Sequence, residues 1–455
     1  WGLVRAWRQE VPARTVRLCD LDSRAREANR DQLISTVTGS SEIELALRGE
    51  RLLAPRLRDL GDDLIVPRSG NPWQIVPTGE GRLDRLAVVP LQRAELGLHE
   101  IRIAVHACGM NFRDTLNLLG VVEAPGLGLE CAGVVLAVGE EVDHVAVGDR
   151  VMGLAAGSLA TEVVTDARYV VGVPEGVTDH EAATIPLAYL TAYHGLVNLA
   201  EVCRGQRVLV HAGAGGVGMA AIALARHLGA EVFATASPHK WPVLESLGVS
   251  RERVATSRAP GFASQWEPVD VVLNSLTGAM IDESLSLLRE GGSFLEIGKT
   301  DVRDAGEVAR RHPGVSYLPF DLMDNDPDEI LRMLRTVVQM VEQGHVDPLP
   351  FVADHAARAS EVLRVMSAGH HVGKLVLTLP RQLDPAGTVL ITGGSGDLAS
   401  DIARRVVVDH GARHLVLASR RGPQSDPVGV LARQLREAGA RTVKLVPCDI
   451  GDQSD

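Results

Sequence analysis

The sequence contains few aromatic residues and few cysteines. Phe, Trp and Tyr make up 3% of its 455 residues. Its five cysteines are widely separated and form no Cys-x-x-Cys pair, so neither a disulfide framework nor a zinc knuckle is indicated, and a reducing cytoplasm fits. They are Cys19, Cys108, Cys131, Cys203 and Cys448. No apolar run approaches the roughly 18 residues that cross a bilayer, and the first residues do not resemble a signal peptide. We therefore expect a cytoplasmic protein without a membrane partner.

Positive charge is also scarce. The chain has 46 Lys and Arg against 58 Asp and Glu, a formal net charge of −12. Nucleic-acid binding needs clustered Lys and Arg, so a nucleic-acid partner is not expected. The hydrophobic fraction of 45% and mean hydropathy of +0.07 are those of a globular protein. Small and β-branched residues supply much of the apolar share, which suits parallel sheets covered by helices.

The chain is too long for one hydrophobic core, and its patterns divide it into four parts. Residues 1–74 contain short apolar alternations and end in a Pro-rich linker. Residues 75–195 and 325–380 are β-rich. Residues 196–324 alternate strands with helices, as in a doubly wound parallel sheet. In residues 381–455 the alternation of strands with helices begins again.

The predicted fold class is α/β, with a β-rich domain, a Rossmann domain and a partial second Rossmann unit. The chain has no initiator Met and stops inside an apparent strand–helix unit, so we expect a piece of a longer polypeptide.

A glycine-rich turn directly follows the first strand of the Rossmann pattern. Gly213, Gly215, Gly216 and Gly218, with Val217 among them, open an Ala-rich helix. Without side chains, the backbone can approach a pyrophosphate, and the helix N-terminus supplies N–H donors and positive potential. Glycine also permits tight helix–strand packing, which is the structural alternative. The strand before the turn and the strand after it favour a dinucleotide site.

The end of the second strand discriminates between the two common dinucleotides. A site that prefers NAD usually has Asp or Glu here, to hold the ribose 2′-hydroxyl. This strand instead ends in Ser237, and Lys240 follows. A hydroxyl and a cation suit a 2′-phosphate, so the expected cofactor is NADPH. The alternative is that Lys240 is an exposed helix lysine.

A second glycine turn occurs in the C-terminal part of the chain. It follows a strand, and the next strand ends in a Ser-Arg-Arg sequence with no acidic residue. No Ser, Tyr and Lys catalytic set follows, so we interpret this part as a fragment of a cofactor site without chemistry. Its candidate cofactor residues are Gly393, Gly394, Gly396, Leu398, Ser419, Arg420 and Asp449.

Several motifs resemble the medium-chain reductase family. They are 111–114 (Asn-Phe-Arg-Asp), 128–133 (Gly-Leu-Glu-Cys-Ala-Gly) and 147–153 (Val-Gly-Asp-Arg-Val-Met-Gly). The motifs 273–276 and 296–301 narrow the resemblance to the enoyl reductase domains of modular polyketide synthases. This resemblance covers residues 75–380, as a substrate-binding domain (75–195 and 325–380) and an NADPH-binding domain (196–324). It implies further cofactor contacts from Asn274, Ser275 and Gly298.

The flanking segments resemble the two halves of a ketoreductase. Residues 1–74 look like the end of its structural subdomain and a linker, and residues 381–455 look like the truncated start of its catalytic domain. Zinc members of the wider family use a Cys near Asn111 and a His near Leu129, and this sequence has neither ligand. A metal-free reductase is therefore expected.

The resemblance implies a substrate and a mechanism. The substrate is a trans-enoyl thioester carried by phosphopantetheine on an acyl carrier protein, and the neighbouring ketoreductase and dehydratase domains are further partners. Lys299 is the expected acid for the α-carbon, and Asp321 could orient it or relay a proton. The alternatives are an exposed turn lysine and a helix N-cap. Asn111 and Asp114 are substrate-side candidates, although a packed loop Asn is also possible.

One departure from the family concerns stereochemistry. Many members place a Tyr at the position of Val122, and that Tyr is thought to deliver the α-proton from one face. A valine cannot donate a proton. In the family, Val here accompanies the (2R) configuration of an α-methyl group, and Lys299, Asp321 or water would supply the proton.

Two other functions stay open at this point. A stand-alone NADPH-dependent quinone or enone reductase would share the fold and the hydride chemistry, but it would not explain the ketoreductase-like flanks. A non-catalytic scaffold domain is the second alternative, and the intact glycine turn with Lys299 and Asp321 argues against it.

Overall fold

The computed structural model describes residues 18–21, 42, 44–48, 51–54, 63–67, 71–79, 81–122, 124–380, 383, 387–393, 397–408, 410–420 and 426–448. The chain divides into two compact units, residues 1–62 and 63–455. This division lies before the predicted boundary at residue 74, which falls inside a strand of the second unit. Residues on either side of the linker are hydrogen-bonded to distant parts of the second unit: the Leu64 N–H donates to the Ala357 carbonyl (2.8 Å), and the Trp73 N–H donates to Thr161 Oγ1 (3.0 Å). The other predicted domain boundaries stay predictions.

The first unit contains a small three-stranded sheet. Its strands are β1 (Leu18–Leu21), β2 (Glu44–Arg48) and β3 (Arg51–Leu53). Strand β1 is parallel to β2, and β2 is antiparallel to β3. The Leu45 side chain on β2 is buried.

The β-rich part of the second unit consists of a hairpin and a larger sheet. The hairpin strands are β4 (Trp73–Pro77) and β5 (Leu86–Pro90). The sheet has the strand order β10-β8-β7-β6-β18-β17, with β9 also paired to β6. Its strands are β6 (Glu100–Met110), β7 (Glu130–Val138), β8 (Arg150–Leu154), β9 (Glu162–Asp166), β10 (Val170–Gly172), β17 (Phe351–His355) and β18 (Lys374–Thr378). Because β18 pairs with β6, the chain returns to this sheet after the Rossmann segment.

The Rossmann part contains a wholly parallel sheet of six strands, in the order β13-β12-β11-β14-β15-β16. They are β11 (Arg207–Val210), β12 (Glu231–Ala236), β13 (Val254–Thr256), β14 (Val269–Asn274), β15 (Leu288–Glu296) and β16 (Ser316–Pro319). The order reverses direction at β11, between β12 and β14. In such sheets, ligands bind in the crevice at the carboxyl ends of the strands next to this reversal.

Helices cover both sheets. The described α-helices of the second unit before residue 380 are α1 (Phe112–Leu118), α2 (Asp179–Ala182), α3 (Pro186–Tyr193), α4 (Gly216–His227), α5 (Trp241–Ser246), α6 (Ala279–Leu287), α7 (Ala305–Arg311), α8 (Pro327–Glu342) and α9 (Ala359–Ser367). Helix α8 buries Ile330, Met333, Leu334 and Val337, which share one helical face. A continuous core includes Met152 of the β-rich sheet, Leu190 of α3 and Val208 of the parallel sheet. No helix in the described ranges is long and apolar enough to cross a membrane.

The C-terminal part forms a separate parallel sheet. Its strands are β19 (Thr388–Thr392), β20 (His414–Ser419) and β21 (Thr442–Pro447), in that order. The helices α10 (Asp397–Val408) and α11 (Asp426–Glu437) alternate with them. This strand–helix alternation confirms the predicted partial Rossmann unit.

Candidate active site

A cavity of about 400 Å³ opens at the carboxyl end of the parallel sheet. One wall comes from the glycine turn after β11 and from the ends of β12, β14 and β15. The opposite wall comes from the β-rich part, through residues 110–112 and the segment that leads into β18. The lining residues include Lys240, Arg258 and Lys374, and none of them is Asp or Glu. Lys374 is paired with the buried Glu130 carboxylate, whereas Lys240 and Arg258 have no carboxylate partner among the described residues. These two cations favour a ligand with negative charge.

The glycine turn has the geometry of a phosphate cradle. Gly215, Gly216, Val217 and Gly218 line the cavity, and α4 begins at Gly216. A Cβ on Gly218 would lie 2.4 Å from the Ala212 carbonyl oxygen, so only glycine fits there. These residues fit a pyrophosphate at a helix N-terminus.

Gly213 lies beside the cavity and does not line it. A Cβ there would approach the side chains of Ala234 and Leu244 to 3.1 Å. Its N–H donates to the Thr235 carbonyl (2.9 Å). Gly213 therefore permits the close approach of β12 to the turn, which is the packing role that glycine also fills in such motifs.

The predicted 2′-phosphate residues lie together and have an additional partner. Ser237 and Lys240 line the cavity with Arg258, and Arg258 Nε donates to Ser237 Oγ (3.0 Å). Lys240 Nζ donates to the carbonyls of Gly369 (2.7 Å) and His371. Burial, and then the charge of Arg258, lower the pKa of Lys240. Sequence reasoning missed Arg258, although a basic residue just after β13, beside β12, was the available signal.

The residues predicted from the ends of β14 and β15 divide into two roles. Ser275 lines the cavity. Asn274 is buried, and its Nδ2 donates to Glu296 Oε2 (2.7 Å). The Gly298 N–H donates to Glu296 Oε1 (2.7 Å). Asn274 and Gly298 therefore shape the two loops around Glu296, and neither is in the cavity lining. Burial raises the pKa of the Glu296 carboxyl to about 7.

The two predicted catalytic residues lie next to each other. Lys299 Nζ is 3.2 Å from Asp321 Oδ2, and it donates to the Phe320 carbonyl (3.1 Å). Arg113 Nη1 donates to the same Oδ2 (2.6 Å). Asp321 also caps the short 3₁₀ helix Leu322–Asp324 through the Met323 N–H (3.1 Å), so its cap role and its contact with Lys299 coexist. None of these three charged side chains is in the cavity lining.

Burial and charge act in opposite directions on Asp321. Burial alone would raise its pKa, but the hydrogen bonds from Arg113 and the Met323 N–H, with the Lys299 charge, outweigh that effect. The net result is a pKa below the usual value. Asp321 is therefore an anion held between two cations at neutral pH.

Asn111 lines the cavity, but its side chain is fully engaged within the protein. Its Oδ1 accepts from Lys374 Nζ (2.5 Å), and its Nδ2 donates to Glu130 Oε1 (2.9 Å) and to the Gly109 carbonyl (3.1 Å). Lys374 and Glu130 form a buried ion pair (2.6 Å). Its members are 244 positions apart, and sequence reasoning missed it.

Asp114, the second substrate-side candidate, is buried away from the cavity. One of its oxygens accepts from the Asn111 N–H and the other from the Gly128 N–H, both at 2.8 Å. It thereby caps α1 and holds the loop before β7. Burial raises the pKa of this carboxyl to about 6.

Val122 lines a different cavity, of about 710 Å³. Its neighbours there include Asn117, Gly120 and Pro125. The described structure therefore does not bring Val122 together with the glycine turn.

The candidates in the C-terminal unit are partly described. Gly393 follows β19 with φ of +69°, Leu398 is exposed, Ser419 is buried at the end of β20, and Arg420 is exposed. Gly394, Gly396 and Asp449 lie outside the described residues.

The described residues offer no metal-binding group. Within these ranges, no three His, Cys, Asp or Glu side chains are grouped so that they could hold a metal ion, so the residues present do not fit a zinc site. The expectation of a metal-free reductase stays a prediction.

Four family models match the chain. They describe a Rossmann fold domain of the polyketide synthase extender module SpnB (residues 1–57), an alcohol dehydrogenase GroES-like domain (97–175), a zinc-binding dehydrogenase (251–377) and a KR domain (387–455).

The chain is also similar to curated and solved proteins. It is 45% identical over 462 residues to the spectinabilin polyketide synthase system protein NorB of Streptomyces orinoci, and 44% identical over 462 residues to erythronolide synthase EryA2 of Saccharopolyspora erythraea. Both matches cover 100% of this chain, which spans only 21% and 12% of those proteins. The crystal structure of CurK enoyl reductase is 40% identical, with a TM-score of 0.65, over 68% of this chain and all of that one. A mycobacterial protein solved with NADPH is 26% identical, with a TM-score of 0.62, over 68% of this chain and all of that one.

The GroES-like part, the Rossmann part and the cavity between them define a reductase of the medium-chain type, as predicted. More narrowly, the chain belongs to the enoyl reductases of polyketide synthases. The predicted family and enzyme class are thereby confirmed.

Proposed function

We propose that this chain uses NADPH to reduce the α,β double bond of an enoyl thioester carried by phosphopantetheine on an acyl carrier protein. The observation that carries the proposal is the cavity lining: a glycine turn together with Lys240 and Arg258, which have no carboxylate partner among the described residues. The ion pair of Lys299 and Asp321, at the ends of two neighbouring strands, supplies a proton donor for the same reaction. The partners in this proposal are the carrier protein and the neighbouring ketoreductase and dehydratase domains of one synthase.

The residues present fit NADPH. Gly215–Gly218 would hold the pyrophosphate through backbone N–H groups. Ser237, Lys240 and Arg258 would hold the 2′-phosphate, because a hydroxyl and two cations match a dianion better than a ribose hydroxyl. The absence of an acidic residue from this described lining supports NADPH over NADH.

The chemistry divides between cofactor and protein. NADPH, when bound, supplies the hydride that adds to the β-carbon. Met110, Phe112, Leu276 and Ile297 provide apolar lining that limits the entry of water. As negative charge develops on the thioester oxygen, the Lys299 ammonium stabilises it and donates a proton to the α-carbon. Asp321 holds this ammonium in place.

The Lys299→Ala variant tests this assignment. We expect turnover of a crotonyl pantetheine thioester to fall by about 10²-fold or more, the usual contribution of a general acid, while NADPH affinity measured by fluorescence stays close to the wild-type value. Lys444 is an exposed residue on β21, and the Lys444→Ala variant is the control, which should change neither quantity. A collapse of NADPH affinity would instead make Lys299 a cofactor ligand.

Wild-type behaviour separates the rival functions. Failure to bind NADPH or to reduce the crotonyl thioester would favour a scaffold domain. Reduction of quinones or free enones, with no reduction of thioesters, would favour a general enone reductase.

The stereochemical proposal rests on Val122. Because valine cannot donate a proton, we expect a 2-methyl-enoyl carrier-protein thioester to give the (2R) product. Chiral analysis of the reduced acyl chain tests this, and a (2S) product would refute it.

A further inference from the structure

Arg113 lies on the first turn of α1, in the β-rich part of the chain, and reaches across to the nucleotide-binding part. Its Nη1 donates to Asp321 Oδ2 (2.6 Å), which also lies 3.2 Å from Lys299 Nζ. The other oxygen, Oδ1, accepts from the Met323 N–H (3.1 Å). One carboxylate thus contacts two cations, Arg113 on α1 of the β-rich part and Lys299 in the loop after β15 of the parallel sheet.

The three side chains that make these contacts are partly buried. The side chains of Arg113, Asp321 and Lys299 are 28%, 22% and 29% exposed. The Arg113 Nε is buried and has no hydrogen-bond partner among the described residues. The guanidinium is therefore held mainly by Asp321.

We propose that Arg113 is a positioning residue that keeps Asp321 ionised through the catalytic cycle, and so makes Lys299 the proton donor and Asp321 its permanent counter-ion. This inference rests on the proposed function. It decides between the two roles that the sequence leaves open for Asp321, orientation and proton relay.

The physical reason is the difference between the two cations. A guanidinium stays protonated at all relevant pH values, whereas an ammonium can give up its proton. When Lys299 has protonated the α-carbon it becomes neutral, and the Lys–Asp ion pair loses its attraction. Arg113 still neutralises Asp321 at that moment, so the carboxylate has no need to take a proton itself. The proton that restores the Lys299 ammonium is then taken up from the buffered solvent, so one proton is consumed in each turnover.

Two further acidic groups lie near the cluster of Arg113, Asp321 and Lys299. Glu296 and Asp301 are the acidic groups on the Lys299 side, and the Lys299 charge acts on Glu296. The charges that act on Asp321 are Arg113 from α1 and Lys299 from the loop after β15. The Arg113→Gln substitution removes one of these two cations and leaves the acidic groups in place.

The test compares Arg113→Gln and Arg113→Lys in the full 455-residue chain. For Arg113→Gln we expect kcat with a crotonyl pantetheine thioester to fall about tenfold or more, as for the loss of a hydrogen bond to a charged group. The Kd for NADPH should stay within about twofold, because Arg113 is not in the cavity lining. The acidic limb of the kcat profile should move to higher pH, since Asp321 loses the guanidinium that donates a hydrogen bond to it. Arg113→Lys should restore part of both effects.

Arg358→Gln is the matched control. Arg358 has a similar exposure (22%) and pairs with Asp354 and Glu361, which have no role in the proposed chemistry. It should leave kcat and the pH profile unchanged. If Arg113→Gln behaves like this control, or if kcat falls with no movement of the acidic limb and no rescue by Lys, the proposal is overturned.

A second measurement does not depend on activity. In protein labelled with ¹³C-carboxyl aspartate, the Asp321 resonance is assigned by its loss in Asp321→Asn and then titrated. Its pKa should be higher in Arg113→Gln than in the wild type, and an equal pKa would overturn the inference. Failure of the proposed function would show separately, as a wild-type protein that gives the expected titration but does not reduce the thioester.

Discussion

Replacing Lys374 by Met removes the cation from a buried ion pair between β18 and β7 of the β-rich sheet. Lys374 and Glu130 are 4% and 0% exposed, and Nζ lies 2.6 Å from Oε1. In the variant, the Glu130 carboxylate keeps only Asn111 Nδ2 and the Leu187 N–H as donors, both at 2.9 Å. Removal of one member of a buried pair typically costs about 3–5 kcal/mol, because the remaining charge has lost its compensation. For a domain of about 150–250 residues, the size class of the predicted substrate-binding domain (75–195 and 325–380), that corresponds to a fall in Tm of about 6–20 °C.

The double variant Lys374→Met with Glu130→Gln provides the decisive comparison. Replacing both members of a buried ion pair by well-packed hydrophobic residues is often nearly neutral. In the double variant no charge stays buried, and the glutamine amide oxygen can accept from Asn111 Nδ2 and the Leu187 N–H, so most of the loss should be recovered. Differential scanning calorimetry at pH 7.5 compares the wild type, Lys374→Met and the double variant. Arg82→Met, which breaks an exposed pair with Asp84, is the control and should change Tm by less than about 2 °C. A double variant that melts no higher than Lys374→Met would refute the reasoning.

Arg258→Gln should raise the Kd for NADPH about tenfold and leave the Kd for NADH unchanged in fluorescence titrations; equal effects on both would contradict a 2′-phosphate role. Burial raises the pKa of Glu296 to about 7, against an ordinary value of 4.5, so its stabilising contribution is full at low pH and is lost as the pH rises through 7. The Tm of the wild type should therefore fall between about pH 4.5 and 7 relative to that of Glu296→Gln, and parallel profiles would count against this. Burial also raises the pKa of the Cys131 thiol to about 12 and that of Cys108 well above its usual range, so iodoacetamide should label exposed Cys203 in the native state and these two only after unfolding, as peptide mapping would show.

Local signals in the sequence were sufficient for the nucleotide-binding part. The turn from Gly213 to Gly218 follows a strand and begins a helix, and this short-range pattern requires no knowledge of distant contacts. Ser237 and Lys240 were found by the same logic, because they end the next strand. The structure places both in the cavity lining with the turn. Gly213 has a different role from the other glycines of the turn, because it does not line the cavity and its lack of a side chain allows β12 to pack closely against the turn.

Contacts between distant segments were not accessible in this way. Asn111 and Asp114 were expected on the substrate side, yet Asp114 is buried on two backbone N–H groups and Asn111 is engaged by Lys374 and Glu130. Periodicity and turn chemistry report on residues a few positions apart. They carry no information on which polar side chain finds its partner on another strand.

The sequence by itself determined the α/β class, the order of strands and helices around the glycine turn, and the chemical types at the site: a hydroxyl and a cation after the second strand, and a lysine and an aspartate after two later ones. These follow from local backbone preferences and from the rule that ligands bind at the carboxyl ends of parallel strands. Only the tertiary structure decided which charges meet. Arg113 and Asp321 are 208 positions apart, and they meet because the β-rich part and the parallel sheet pack around one core. Electrostatic energy depends on distance in space, and that distance is set by the packing of the two sheets.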